Sequence, residues 1–168
     1  MTSLQDFRKM KDNFFAQDGS SPLTPEQKKK FKGLIYFPPN PELTLEVSVE
    51  EFPEKQRVEM QTTTGDIQVY QRYGKFQFEV NGQTVELTIY HSVDGYFLPF
   101  VDSLASKETY PAGRYLEPQD LGKNHFRVDF NLAYNPYCAY NEYWSCPLTP
   151  FENHLKVPIR AGEKLFHN

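Results

Sequence analysis

The rhythm of hydrophobic and polar positions changes near residue 40. Before it, Leu4, Phe7, Met10 or Lys11, and Phe14 recur at helical spacing. That spacing predicts an amphipathic helix over 3–16 that docks on another part of the chain. Residues 17–22 break it. Thr24-Pro25-Glu26-Gln27 then reads as a helix start, with Thr24 as cap, Pro25 at the first helical position and Gln27 closing a capping box. The helix that follows is short, about residues 25–32, and its lysines 28, 29, 30 and 32 read as a solvated face, with a phosphate or anionic-partner patch as the alternative.

After Pro38-Pro39 the period becomes two. Leu43, Leu45, Val47 and Val49 alternate with Thr44, Glu46, Ser48 and Glu50, the pattern of a half-buried strand. The alternation continues through Val58 and Met60, Ile67 and Val69, Phe76 to Val80, and Val85 to Ile89. Asn81-Gly82 is a strong hairpin signal, because both residues tolerate positive φ. It pairs Phe78 with Val85 and Phe76 with Leu87, so the apolar faces coincide. A turn at Thr64-Gly65 would set Met60 beside Val69. A turn at Tyr73-Gly74 would set Val69 beside Phe78, or else Gly74 is a bulge within one long bent strand. Residues 96–101, 113–117, 125–131 and 155–159 complete the pattern, with Pro99 making 96–101 an edge strand or an irregular core segment and Pro158 marking an edge.

The expected fold is therefore mainly β, an antiparallel barrel-like structure or strongly curved sandwich of eight to nine strands with an N-terminal helical segment. Residues 1–32 form that segment within the same domain, and 33–168 form the β-rich core. Residues 131–154 stand apart. They lack regular period and carry three prolines, four tyrosines, Trp144 and both cysteines of the chain. A connection this long and this aromatic predicts an ordered cover on the sheet rather than disorder.

Composition narrows the function classes. The 168 residues are 39% hydrophobic and 24% charged, enough for one core without disulfides or metal. No apolar run spans a bilayer. The net charge of −4 argues against a nucleic-acid binder. The charged N-terminus lacks the apolar core of a signal peptide, which predicts a cytoplasmic protein, and two thiols suit a reducing compartment.

The candidate chemistry lies in and around the cover. Arg114 and Arg160 sit among apolar neighbours beside glycines, where an arginine can clamp a carboxylate or pair with Asp129, Glu108 or Glu163 inside the fold. Asp129 and Asn131 share a strand face. Tyr134, Asn135 and Tyr140 would orient a bound molecule, or else satisfy one another within a closing lid. Cys138 and Cys146 are nucleophile candidates, with His154 or His125 as base, and buried inert thiols are the alternative. Cys138, Cys146 and His154 offer three soft ligands without a paired C-x-x-C, so no metal is assigned. No nucleotide-binding, hydrolase-elbow or zincin motif is present.

The stretches FKGLIYFP (31–38), FLPFVD (97–102), ETYPAGRYLE (108–117), DFNLAYNPYCAYN (129–141) and CPLTPFENHLKVPIRAGEK (146–164) closely resemble the domain-of-unknown-function family 1684. The resemblance runs from Ser21 to Lys164. It implies kinship with uncharacterised bacterial and archaeal proteins, some carrying export signals that this chain lacks. One departure is Val101-Asp102-Ser103-Leu104, where the family tends toward a more polar PF-x-D-x-T-x-G stretch. The resemblance implies no substrate or cofactor, and draws attention also to Asn153 and Glu163. The resulting expectation is a protein that binds a small anionic or aromatic molecule between the β core and the 131–154 cover, with no cofactor. A cysteine enzyme of hydrolase or transferase type is one alternative, and a structural or partner-binding module is another.

Overall fold

The computed structural model describes residues 3–167. Helix α1 spans Leu4–Gln17, with the Ser3 hydroxyl accepting the Asp6 amide at 3.0 Å. Its docking stripe differs from the one expected. Phe15 is the residue it buries, edge-on to Tyr140 at 4.9 Å, while Phe7 and Met10 stay exposed. Helix α2 (Pro25–Lys30) carries the complete Thr24/Gln27 capping box.

Among the described residues nine strands follow: β1 (Thr44–Ser48), β2 (Glu50–Glu51), β3 (Arg57–Gln61), β4 (Ile67–Val80), β5 (Gln83–Ser92), β6 (Gly95–Phe100), β7 (Arg114–Leu116), β8 (Gln119–Gly122) and β9 (His125–Asp129). They build two antiparallel sheets. The smaller runs β1-β9-β8; the larger runs β2-β4-β5-β6-β7, with β3 also on β4. Neither sheet closes on itself, so the architecture is a curved sandwich. Val47, Phe126 and Val128 of the small sheet meet Phe76, Phe78, Leu87, Ile89, Leu98 and Phe100 of the large one in a shared core.

The Asn81-Gly82 hairpin forms in the expected register, with φ of 51° and 78°. The Tyr73-Gly74 turn does not form. β4 runs through it as one strand, and the ladder with β5 slips between Arg72 and Gly74, leaving Tyr73 as the extra residue. The slip moves the even-numbered side chains from one face to the other. Tyr70 joins the outer aromatic cluster, whereas Phe76 and Phe78 face the inner core. Val69 and Ile67 therefore never meet Phe78 and Val80, and are 45% and 55% exposed. Gly74 is required because β2 crosses closely: a Cβ there would lie 2.7 Å from the Glu50 carbonyl oxygen. The β3–β4 turn also differs by one residue, pairing Met60 with Gln68.

The expected strand at 155–159 is absent as a strand. Leu155 and Val157 lie alongside residues 101–103, where Leu155 N–H donates to Val101 O at 2.7 Å and Ser103 N–H to Val157 O at 3.0 Å. Pro158 has no amide to extend the ladder. Conversely, every residue of β2 and β8 is exposed, and these strands left no apolar alternation to read. Among the described residues, no helix is long and apolar enough to cross a membrane.

Candidate functional site

The cover packs on the outer face of β5–β7. Tyr115 and Tyr134 exchange backbone hydrogen bonds at 2.8 and 3.0 Å, which fixes the start of the cover to β7. Leu148 N–H donates to Gln61 O at 2.8 Å and Thr63 N–H to Cys146 O at 3.0 Å, which fixes its far part to the β3–β4 turn. Short 3-10 turns at Tyr137–Ala139 and Phe151–Asn153 shape it between and after these anchors.

Asn153 shows why the cover binds so specifically. Paired residues of β5 and β6 stop at Tyr90 and Phe97. Two residues farther along, Pro99 lacks an N–H, so Thr88 would face an incomplete partner. The fully buried Asn153 carboxamide fills the gap. It accepts from Thr88 N–H at 2.9 Å and donates to Thr88 O and Pro99 O, each at 2.8 Å. One side-chain amide thus replaces a missing peptide.

Between α1, β7 and the cover lies a cavity of about 640 Å³, open to solvent. Tyr115, Tyr134, Tyr137 and Trp144 form aromatic walls, Phe7 and Met10 form the α1 side, and Cys146 and Lys11 complete it. Five of its polar side chains are already engaged. Tyr115 donates to Pro147 O and Tyr134 to Glu117. Trp144 Nε1–H donates to Pro22 O at 3.2 Å, and Ser145 to the Thr62 hydroxyl at 2.9 Å. Lys11 pairs with buried Glu163 and lies 4.9 Å above the Tyr134 ring. Burial drives the Tyr115 and Tyr134 phenols far above their ordinary pKa, aided by the thiols of Cys146 and Cys138 for the first and by Glu117 for the second. Both remain neutral, so the walls present aromatic faces rather than charge.

The sequence-predicted residues divide sharply. Tyr134 and Cys146 line the cavity. Arg114 is enclosed in the core, 3.6 Å from Asp102, donating to the carbonyls of Ile159, Ala161 and Glu163. Burial lowers it to about 10, partly offset by Asp102 and Glu163. It braces the C-terminal segment. Arg160 is at the surface, paired with Glu108 at 2.7 Å. Asp129 accepts from Asn131 N–H at 3.0 Å, and Asn131 exchanges bonds with the residue-40 backbone. Asn135 N–H donates to Glu163 at 3.2 Å, and the Tyr140 hydroxyl donates to the same carboxylate. Glu163 therefore ties α1, the cover and the C-terminal segment together.

Cys138 and Cys146 come together as free thiols, the Cys138 N–H donating to Cys146 Sγ at 3.3 Å. His154 stacks on Phe151 and faces the Thr149 carbonyl at 3.4 Å, and His125 pairs with Ser48 at a strand end. Among the described residues, no histidine hydrogen-bonds to either thiol, and no three metal-binding side chains gather. The α1 contribution to the cavity was missed because Phe7 and Met10 looked like a docking stripe. The one available signal was that this stripe is too apolar for an exposed helix unless something else covers it.

A family model described as "Protein of unknown function (DUF1684)" matches residues 29–164. The chain belongs to that family. A DUF1684 chain therefore carries this sandwich, its cover and the cavity wall from Tyr115 to Cys146, while α1 lies N-terminal to the matched span. A solution NMR structure of an uncharacterized protein from Haloarcula marismortui is similar along the whole length. The two are 35% identical, with 98% of this chain and 94% of that one covered, at a TM-score of 0.72. A search of curated proteins finds no match.

Proposed function

We propose that this chain binds a small aromatic or apolar molecule in the cavity between α1, β7 and the cover. The observation that carries this reading is the cavity wall. About 640 Å³ is faced by four aromatic side chains, of which Tyr115, Tyr134 and Trp144 have their polar atoms satisfied elsewhere, the composition typical of ligand pockets. An anionic group on the ligand would find Lys11 at the wall, but in competition with Glu163. The other candidates, Arg114, Asp129, Asn131, Asn135 and Tyr140, support the site by holding the cover and the C-terminal segment in place.

Trp144 is the chain's one tryptophan and lines the cavity, so its fluorescence reports occupancy directly. Titration with neutral naphthalene and indole derivatives should give a saturable fluorescence change. Met10→Glu, at an exposed position on the rim, should weaken that binding at least tenfold without changing the melting temperature. A flat fluorescence response across the set, with no thermal shift, would reject the proposal.

A further inference from the structure

Cys138 and Cys146 lie at one place, brought there by two different anchors. Cys138 sits on the 3-10 turn Tyr137–Ala139. Cys146 is pinned to the β3–β4 turn, its N–H donating to the Thr63 hydroxyl at 3.2 Å. The Cys138 amide points at the Cys146 sulfur at 3.3 Å, and the Tyr110 hydroxyl donates to the Cys138 sulfur at 3.6 Å. Cys138 is half-buried and Cys146 buried, and both are free.

We infer that Cys138 and Cys146 form a thiol–disulfide exchange site, in which Cys138 attacks a low-molecular-weight disulfide and Cys146 resolves the mixed disulfide. This assignment stands whether or not the neighbouring cavity takes a ligand. The division of roles follows from geometry. Cys138, the less buried of the two residues, meets the co-reactant, and Cys146, held beside it at the cavity wall, completes the exchange. Ionisation agrees. The Cys138 thiol is pulled down to about 6, chiefly by the hydrogen bond with Cys146, with Tyr110 and Thr63 contributing. The same bond, with burial, pushes Cys146 up. A thiolate stabilised by neighbouring donors is the attacking form.

The balance is a two-electron exchange. The Cys138 thiolate forms a bond to one sulfur of the small disulfide; the disulfide bond breaks, and one thiolate leaves and takes a proton from solvent. Cys146 sulfur then bonds to Cys138 Sγ as its proton passes to the second departing thiolate. The protein dithiol is oxidised, and the small disulfide is reduced to two thiols. Excess thiol reverses both steps.

The test uses the full-length protein equilibrated in glutathione and glutathione disulfide at rising oxidised fraction, then acid-quenched, alkylated and weighed. The expected result is loss of both alkylatable thiols together, a peptide joining Cys138 to Cys146, and full recovery on adding dithiothreitol. The disulfide-to-dithiol ratio should be at least tenfold higher in the native chain than in the urea-unfolded chain. Cys146→Ser should stop at a glutathione adduct on Cys138. Two thiols that stay alkylatable under oxidising conditions would overturn the inference. So would adducts without a crosslink in the wild-type chain, or equal ratios in native and unfolded chains. The wild-type measurement decides the matter even if the variant does not fold.

Discussion

The two faces of the large sheet are built on different chemistry from the same strands. On the inner face, Leu87, Ile89, Leu98, Phe100 and Leu116 pack against the small sheet as an aliphatic and phenylalanine layer. On the outer face, their immediate neighbours Tyr90, Phe97 and Tyr115 pack against the cover with Cys146 and Met60. The inner face needs only shape and volume. The outer face adds hydroxyls, amides and thiols, each of which must find a partner. Stability sits on the first face. The cavity and the thiol pair sit on the second, where polar groups are held at fixed points and space is left unfilled.

That contrast can be broken from either side. Phe100→Ala empties the inner layer beside Phe130, whose ring lies 5.2 Å away, and should cost about 4 kcal/mol in urea denaturation. Asn153→Ala leaves Thr88 and Pro99 backbone groups buried without partners and should cost on the order of 3 kcal/mol. Its signature should be loss of cover protection in hydrogen exchange before the sandwich opens; simultaneous loss would show that the two faces are one cooperative unit.

The thiol pair sharpens the comparison through pH. A thiol held at about 6 by Cys146, Tyr110 and Thr63 is mostly thiolate at pH 7 and mostly protonated at pH 5. Alkylation of Cys138 should therefore fall about tenfold between those values, the equivalent of about 1.4 kcal/mol. In Cys146→Ala the midpoint should rise toward the free-thiol range near ~8.5. An unchanged midpoint would show that Cys146 does not hold the thiolate. The smallest effect belongs to Tyr115→Phe, which loses one hydrogen bond to Pro147 O and should cost about 1 kcal/mol by thermal melting.

Much of the sandwich was readable in the chain. The Asn81-Gly82 turn dictates its own register because few residues accept its backbone angles. Thr24 and Gln27 announce their capping box by local chemistry alone. The cover, too, was visible as a long aromatic stretch without period. The Gly74 bulge was open between two readings, because alternation reports which residues leave water but not which strand passes over a glycine.

Arginine roles were the least legible part of the site. Arg114 and Arg160 have similar neighbours in sequence, yet one is enclosed by Asp102 and three carbonyls from residues 159–163, and the other meets solvent. Burial of a charge depends on partners that arrive from distant segments. By itself the sequence determined the strands whose apolar positions alternate, the best hairpin and the presence of a cover, since local pattern and turn chemistry suffice for these, whereas β2 and β8 carry no such pattern. The tertiary structure alone decided which side chains line the cavity and that two cysteines eight positions apart meet, because both depend on contacts between segments distant in sequence.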